Sequence, residues 1–331
     1  MYPVKRILVT GAAGFIGSWL TERLLARGDR VVGFDNFDPF YDRAIKERNL
    51  ETARESAGFE LVEGDLRDRA AVARLFDVGG FDAVVHLAAR AGVRPSLADP
   101  AGYCETNLTG TANLLEAMRE GDSRRLVFAS SSSVYGNNRK VPFHEDDRVD
   151  FPISPYAATK KAGEELCHVY HAVHGFSILA LRFFTAYGPR QRPEMAIHAF
   201  TRRLFDGDAI PVFGDGSMER DFTYVDDVVQ GVVGSVDHVI EMETFRILNL
   251  GESEPVRLAH LVEALERATG RKARIDRRPV PPGDVDRTFA DVSRARDLLG
   301  YEPRVGLDEG LRRFVAWYRE TMLQHADSAT D

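Results

Sequence analysis

Short apolar runs with little polar alternation recur through the first half of the chain. They are RILVT from Arg6, RVVGFD from Arg30, FELVEGD from Phe59, DAVVHLAA from Asp82 and RLVFASS from Arg125. A strand with one wet face alternates apolar and polar residues. An unbroken apolar strand is buried on both faces, which requires helices above and below a parallel sheet. The stretches between the runs supply those helices. FIGSWLTERLLARG carries Ile16, Leu20 and Leu24 at helical spacing and Gly28 as a stop. Asp68 is placed to cap DRAAVARLF, and Asp99-Pro100 to open one helix reading AGYCETNLTGTANLLEAMRE. The pattern predicts a doubly wound α/β fold.

The second half is less regular. SILALRFFTAYG and FRILNLG read as buried strands, and between them IPVFGDGSMERDFTYVDDVV is dense in Gly and Asp. Then come a helix (VRLAHLVEALERATG), an edge strand (ARIDRRP), a Pro-rich loop (VPPGD) and two helices. We expect a cofactor domain over residues 1–180 with returning segments near 220–250. A smaller, interleaved substrate domain takes most of 181–331.

Composition narrows the classes. The chain has 331 residues, 44% hydrophobic and 28% charged, enough for a large buried core. A net charge of −8 with acids and bases mixed argues against a nucleic-acid surface, and RGDR at 27–30 and RRP at 277–279 are too short to be basic arms. Cys104 and Cys167 make no disulfide framework and lack metal-ligand spacing to His, so both are expected buried as small apolar groups. MYPVKRILVTG runs straight into a strand, which leaves no room for a signal peptide, and HADSATD reads as a frayed polar tail. No apolar segment approaches the about 20 residues that cross a membrane, so the expectation is a cytoplasmic protein.

GAAGFIG, Gly11 to Gly17, follows the first strand and opens the first helix. Glycines there (Gly11, Gly14, Gly17) let backbone approach a pyrophosphate, which rests on the free N–H groups of the helix start at Phe15 and Ile16. The spacing is G-x-x-G-x-x-G, and a Gly-rich turn alone is weak evidence. Asp35, ending the second strand before Asn36, strengthens it: a carboxylate there accepts from adenosine ribose hydroxyls and repels a 2′-phosphate, favouring NAD over NADP. Asp65 and Leu66 close the third strand, with Asp65 able to meet the adenine edge, and Leu87, Ala88 and Ala89 close the fourth, where bulk would block a cofactor. Successive strand ends of this kind form a cleft.

In SPYAATKKAGEELCHVY, Ser154-Pro155 starts a helix that puts Tyr156 and Lys160 on one face. A phenol with its ordinary pKa near 10 is a poor base at neutral pH; a nearby ammonium, or a cationic nicotinamide ring, favours the phenolate. Tyr156 can then take a proton from a substrate hydroxyl while hydride leaves the same carbon.

These residues, GAAGFIG, Asp35, HLAA, the serine strand end and YAATK, resemble the extended short-chain dehydrogenase/reductases over nearly the whole chain. Within them the chain is most similar to nucleotide-sugar 4-epimerases, and among those to the UDP-glucuronate 4-epimerases. SSSSVYG, SPYAATKKAGE, LRFFTAYGPRQRPEMA and RDFTYVDD carry that likeness, and NFDPFYDRAIKERNL does so less distinctively. The resemblance implies a Rossmann sheet, NAD kept bound and regenerated each cycle, and a UDP-sugar entering between the domains. It also implies a homodimer formed through the Tyr156 helix and the helix near 100–119.

Related dehydratases carry Asp-Glu where this chain has Ser132 and Ser133, and the decarboxylases carry a Glu. Without those carboxyls the oxidation machinery remains but the elimination machinery does not. The resemblance makes Ser131 and Ser132 the catalytic serines beside Tyr156 and Lys160, with Ser133 at the substrate. A 4-keto glucuronate is a β-keto acid and loses carbon dioxide if the breaking bond aligns with the carbonyl π system. Hydroxyls at Ser131, Ser132 and Thr185 and a guanidinium at Arg192 can hold the carboxylate away from that alignment. Thr185 stands where UDP-galactose 4-epimerases usually have Asn, and Arg190 competes with Arg192. The same likeness points to Arg220 and Arg287 as diphosphate ligands. Asp226 and Asp227 are expected to cap the following helix, and no metal site is expected. The alternatives are a 4-epimerase for neutral or N-acetylated UDP-hexoses, a UDP-glucuronate decarboxylase, and a non-catalytic NAD-sensing protein.

Overall fold

A computed structural model describes residues 3–77, 79–279 and 285–323 of the chain. The VPPGD loop (280–284) and the HADSATD tail (325–331) lie outside the described residues. The strands, in chain order, are β1 (Arg6–Thr10), β2 (Arg30–Asp35), β3 (Phe59–Glu63), β4 (Ala83–His86), β5 (Arg125–Ser131) and β6 (Ser177–Phe183). There follow β7 (Thr185–Tyr187), β8 (Ala209–Phe213), β9 (Glu219–Tyr224), β10 (Phe245–Leu250), β11 (Pro255–Arg257) and β12 (Arg274–Arg278). Seven of them form one sheet in the order β10-β6-β5-β4-β1-β2-β3. Every pairing in it is parallel.

The apolar runs explain the layering. In β1, Ile7 and Val9 join a core shared with Leu20 and Leu24 of the Phe15–Ala26 helix and Val228 and Val232 of the Val225–Glu241 helix. Leu8, between them, faces the opposite core with Leu114, Leu115 and Met118 of the Gly110–Glu120 helix and Cys167 and Tyr170 of the Pro155–His174 helix. Two buried faces need two helical layers, so the sheet is doubly wound.

The sequence signals for helix starts act through side chains. Asp68 accepts from the Ala70 and Ala71 amides (3.0 and 3.1 Å), Asp99 from Gly102 (3.1 Å), and Ser154 from Ala157 (3.1 Å). The single helix expected after Pro100 is interrupted. Pro100–Cys104 is α-helical, Glu105–Thr109 widens to a π turn, and Gly110–Glu120 resumes the α-helix. The widened turn presents Asn107 inward, where its amide accepts from the Arg90 N–H (2.9 Å) and donates to the Arg90 carbonyl and Thr159 Oγ1 (both 3.0 Å).

Two expectations are corrected. Asp226 and Asp227 do not cap: Tyr224 is the N-cap of the Val225–Glu241 helix and no side-chain cap bond is made. Asp227 instead accepts from the Arg304 and Val305 amides (both 3.0 Å), and Asp226 lies 3.7 Å from Arg23 and 3.6 Å from Arg313. Cys167 is buried, but Cys104 is exposed, because its short helix turns that position outward.

After β6 the chain leaves the main sheet. β7, β9 and β11 make a three-stranded sheet, and β8 and β12 a parallel pair. Between these excursions the Val225–Glu241 helix and β10 return to the main sheet. No described helix is long and apolar enough to cross a membrane.

Candidate active site

The carboxyl ends of the central strands open on one cleft. Gly11, Gly14, Phe15, Ile16, Gly17, Asp35, Asn36, Asp65, Leu66, Leu87, Ala88 and Ala89 line one arm of it. Ser131, Ser132, Ser133, Tyr156, Lys160, Thr185 and Arg192 line the other.

The first arm fits a dinucleotide by what it leaves free. Gly11 has φ +74°, and an added Cβ would sit 2.8 Å from the Ala88 nitrogen. A Cβ on Gly17 would overlap the Gly11 carbonyl. The turn thus lies against the helix start with no side chain between. That helix has Gly14 as N-cap and no side-chain cap bond, so its first N–H groups remain available to an anion. Asp35 is buried. It accepts from the Ala13 amide (3.1 Å) and the Phe37 amide (2.8 Å), one on each oxygen, leaving lone pairs for a ribose diol. Burial pushes its pKa up, against the opposing charge of Lys46. Asp65 accepts from Asn36 Nδ2 (2.9 Å) and from Arg67, whose guanidinium holds it well below the usual carboxylate range. His86 of HLAA is bridged between Thr10 Oγ1 (2.7 Å) and Thr111 Oγ1 (3.0 Å), and burial brings its pKa down to about 3, so it stays neutral.

At the second arm, Gly163 lets the Pro155–His174 helix lie close on β5, where a Cβ would meet the Phe128 ring. That approach brings Tyr156 and Lys160 to the end of β5. Burial raises the Tyr156 pKa; a hydrogen bond with Ser131 and the charge of Arg192 oppose it. Lys160 is buried and donates to the Ala129 carbonyl (2.6 Å), and burial lowers its pKa to about 8. Ser131 and the charge of Arg192 favour the phenolate. The Tyr103 ring stands edge-on to Tyr156 at 6.3 Å, with its hydroxyl on the Ala91 carbonyl (3.0 Å).

The four serines divide. Ser131 closes β5, and Ser132 and Ser133 lie in a single 3₁₀ turn. Ser130 donates to Glu164 Oε1 (2.6 Å), and that carboxylate is clasped by the buried Arg182 through Nε (2.8 Å) and Nη2 (2.9 Å). Ser131 accepts from the Ser133 N–H (3.1 Å) and donates to the Ser133 hydroxyl (3.1 Å).

Arg190 and Arg192 part company. Arg190 turns to the Phe15–Ala26 helix, with Nη2 on Glu22 (2.8 Å) and its guanidinium 4.7 Å from the Trp19 ring centre. Arg192 lines the cleft. Arg220 and Arg287 are not among the residues lining it. Both lie at β9: Arg287 makes an isolated bridge to Glu219 and pairs with its carboxylate, and Arg220, in β9, donates to the Glu219 carbonyl (2.9 Å). Residues that sequence reasoning did not single out also line the cleft, among them Phe40, Tyr41, Lys46, Tyr103 and Thr106. The first three belong to the NFDPFYDRAIKERNL stretch, where the signal was a short Asp-capped helix with Lys46 on its inner side.

An uncapped helix behind a glycine turn, with a carboxylate ending the next strand of a parallel sheet, defines a Rossmann-type NAD-binding protein. The sequence profile of the family described as GDP-mannose 4,6 dehydratase matches residues 8–314, and the chain belongs to that family, within the extended short-chain dehydrogenase/reductases. UDP-glucuronate 4-epimerase 1 of Arabidopsis thaliana is 46% identical over 94% of this chain and 76% of its own length. The UDP-glucuronate 4-epimerase of Thermodesulfobacterium geofontis is 42% identical over 95% of this chain and 96% of its own. The crystal structure of the UDP-glucuronic acid 4-epimerase from Bacillus cereus, in complex with UDP-glucuronic acid and NAD, superimposes with a TM-score of 0.88. It is 36% identical and covers 95% of this chain and 99% of that one.

Proposed function

We propose that the chain catalyses NAD-dependent 4-epimerisation of a UDP-sugar, UDP-glucuronate to UDP-galacturonate, through a transient 4-keto sugar and without decarboxylation. The observation that carries this is the shared wall of the cleft. Arg192 stands near enough to Tyr156 for its charge to act on the phenol, while positions 132 and 133 are serines.

NAD, held by Gly11, Gly14, Gly17 and Asp35, would supply the hydride acceptor and donor for C4 of the sugar. Tyr156 takes the 4-hydroxyl proton as C4 is oxidised and gives it back on reduction. Ser131, beside Tyr156, orients the phenol, and its hydroxyl, turned away from Ser133, stabilises the anion. Lys160, fixed on the end of β5, holds the floor on which a nicotinamide ribose would lie. Ser132, Thr185 and Arg192 receive the sugar carboxylate. No carboxyl group at 132 or 133 is in place to move protons at C5 or C6.

The same reading makes residues 1–180 the cofactor domain and most of 181–331 the substrate domain, and takes Arg220 and Arg287 to the diphosphate. It makes the protein a cytoplasmic homodimer through the Tyr156 helix and the run from Pro100 to Glu120. Exposed Val169 and Val173, one turn apart on the Tyr156 helix, support that face. The test is incubation of the purified protein with UDP-glucuronate, UDP-glucose and UDP-N-acetylglucosamine, with the products resolved. UDP-galacturonate is expected; conversion of the neutral sugars alone would overturn the reading.

A further inference from the structure

Arg192 opens a turn in which the Met195 amide donates back to the Arg192 carbonyl (3.1 Å), with Pro193 at the second position. Proline there fixes the backbone, so the side chains of Arg192 and Glu194 leave a pre-set frame. Glu194 Oε1 lies 3.0 Å from Arg192 Nε, and the guanidinium carbon is 5.8 Å from the Phe40 ring centre. Among the described residues no hydrogen bond reaches the two Nη groups of Arg192. Glu194 itself is not among the residues lining the cleft.

A guanidinium presents its N–H groups in one rigid plane. An ion pair on the Nε side leaves free the outer Nη1/Nη2 edge, which can make parallel paired bonds to a second carboxylate. We infer that Glu194 is a positioning residue: anchored from outside the cleft, it aims the outer edge of Arg192 at the sugar carboxylate and sets the angle at which that carboxylate is held. This rests on the assignment of Arg192 to the substrate carboxylate made above.

The angle matters because of the side reaction it prevents. In the 4-keto intermediate the C5–C6 bond can break, its electron pair passing to the C4 carbonyl as an enolate. Carbon dioxide leaves, and a proton at C5 completes a UDP-linked 4-keto pentose. The bond breaks only when it stands across the carbonyl plane, so a freely swinging Arg192 lets the carboxylate sample that geometry.

The experiment compares wild type, Glu194→Gln, Glu194→Ala and Arg192→Ala. It measures kcat and KM with UDP-glucuronate, carbon dioxide released per turnover, bound NAD, and affinity for UDP, which has no carboxylate. Glu194→Ala is expected to raise KM by about threefold to fivefold, the scale of a half-exposed ion pair, and Glu194→Gln by less. Both are expected to increase the carbon dioxide fraction while UDP affinity, bound NAD and melting temperature stay at wild-type values. If both Glu194 variants match wild type while Arg192→Ala changes KM and carbon dioxide release, the positioning role falls and the Arg192 assignment stands. If Arg192→Ala is also silent, the Arg192 assignment itself falls.

Discussion

The two arms of the cleft are made of different materials. The arm at Gly11 and Asp35 is backbone and short side chains at the ends of sheet strands, each already hydrogen-bonded in place. The far end of the other arm is a long guanidinium side chain on a turn, Arg192, paired with a carboxylate, Glu194, that is itself partly exposed. The first kind of wall is rigid because the sheet is rigid, and it costs little entropy to organise. The second keeps rotamer freedom, and its specificity depends on what anchors it. The Tyr156 helix joins the two, rigid through Gly163 and Lys160 and responsive through Arg192.

The comparison breaks first at the junction. Replacing Tyr156 by Phe removes the proton carrier, and turnover is expected to fall roughly 10²–10⁴-fold while NAD stays bound. Near-normal turnover would mean that the proton moves elsewhere. Lys160 comes next. Its pKa falls from the ordinary 10.5 to about 8, so the unfolded chain holds the proton more tightly. Below about pH 8 the lysine is charged in both states and its burial opposes folding. As pH rises from about 8 to 10.5 the folded chain is already neutral while the unfolded chain is still losing its proton, and the penalty disappears. Wild type should therefore gain on Lys160→Met across that window, by up to about 3 kcal/mol, in denaturant titrations without cofactor. A pH-independent difference would place the ammonium in water.

The rigid arm is probed by Gly17→Ala. Its new Cβ must part the turn from the helix, an overpacking cost of about 1–3 kcal/mol, so bound NAD should drop roughly tenfold or more. Undiminished cofactor content would show that this arm yields as easily as the other. The smallest effect belongs to Arg287→Ala. An exposed pair with Glu219 contributes at most about 1 kcal/mol, so the melting temperature should barely move while affinity for UDP weakens. Unchanged UDP affinity would remove Arg287 from the diphosphate.

The same division governs what the sequence reveals. RILVT, RVVGFD and RLVFASS announce a doubly covered parallel sheet because burial on both faces leaves no polar alternation. Asp68, Asp99 and Ser154 announce their helices because a cap is a local interaction. The glycine turn, Asp35 and the Tyr156–Lys160 spacing are legible for the same reason. Non-local pairings are not. Asp227 looks like a cap until the Arg304 and Val305 amides, nearly eighty residues away, claim it. Nothing near Lys160 in the chain indicates that its ammonium would go to Ala129. The π turn at Glu105–Thr109 depends on Arg90 and Thr159, and the division of labour between Arg190 and Arg192 on Glu22, Trp19 and Glu194.

The late return of β10 has a consequence for how the molecule is made. β10 pairs with β6 along its whole length, yet over sixty residues of chain intervene, including β7, β8 and β9. Until β10 emerges from the ribosome, β6, with its SILAL core fully buried in the finished protein, is an uncovered sheet edge. Such an edge is a template for pairing with another chain. The nascent protein is therefore most exposed to aggregation after a complete cofactor cradle has already been synthesised, and chaperone dependence should concentrate in that interval of translation.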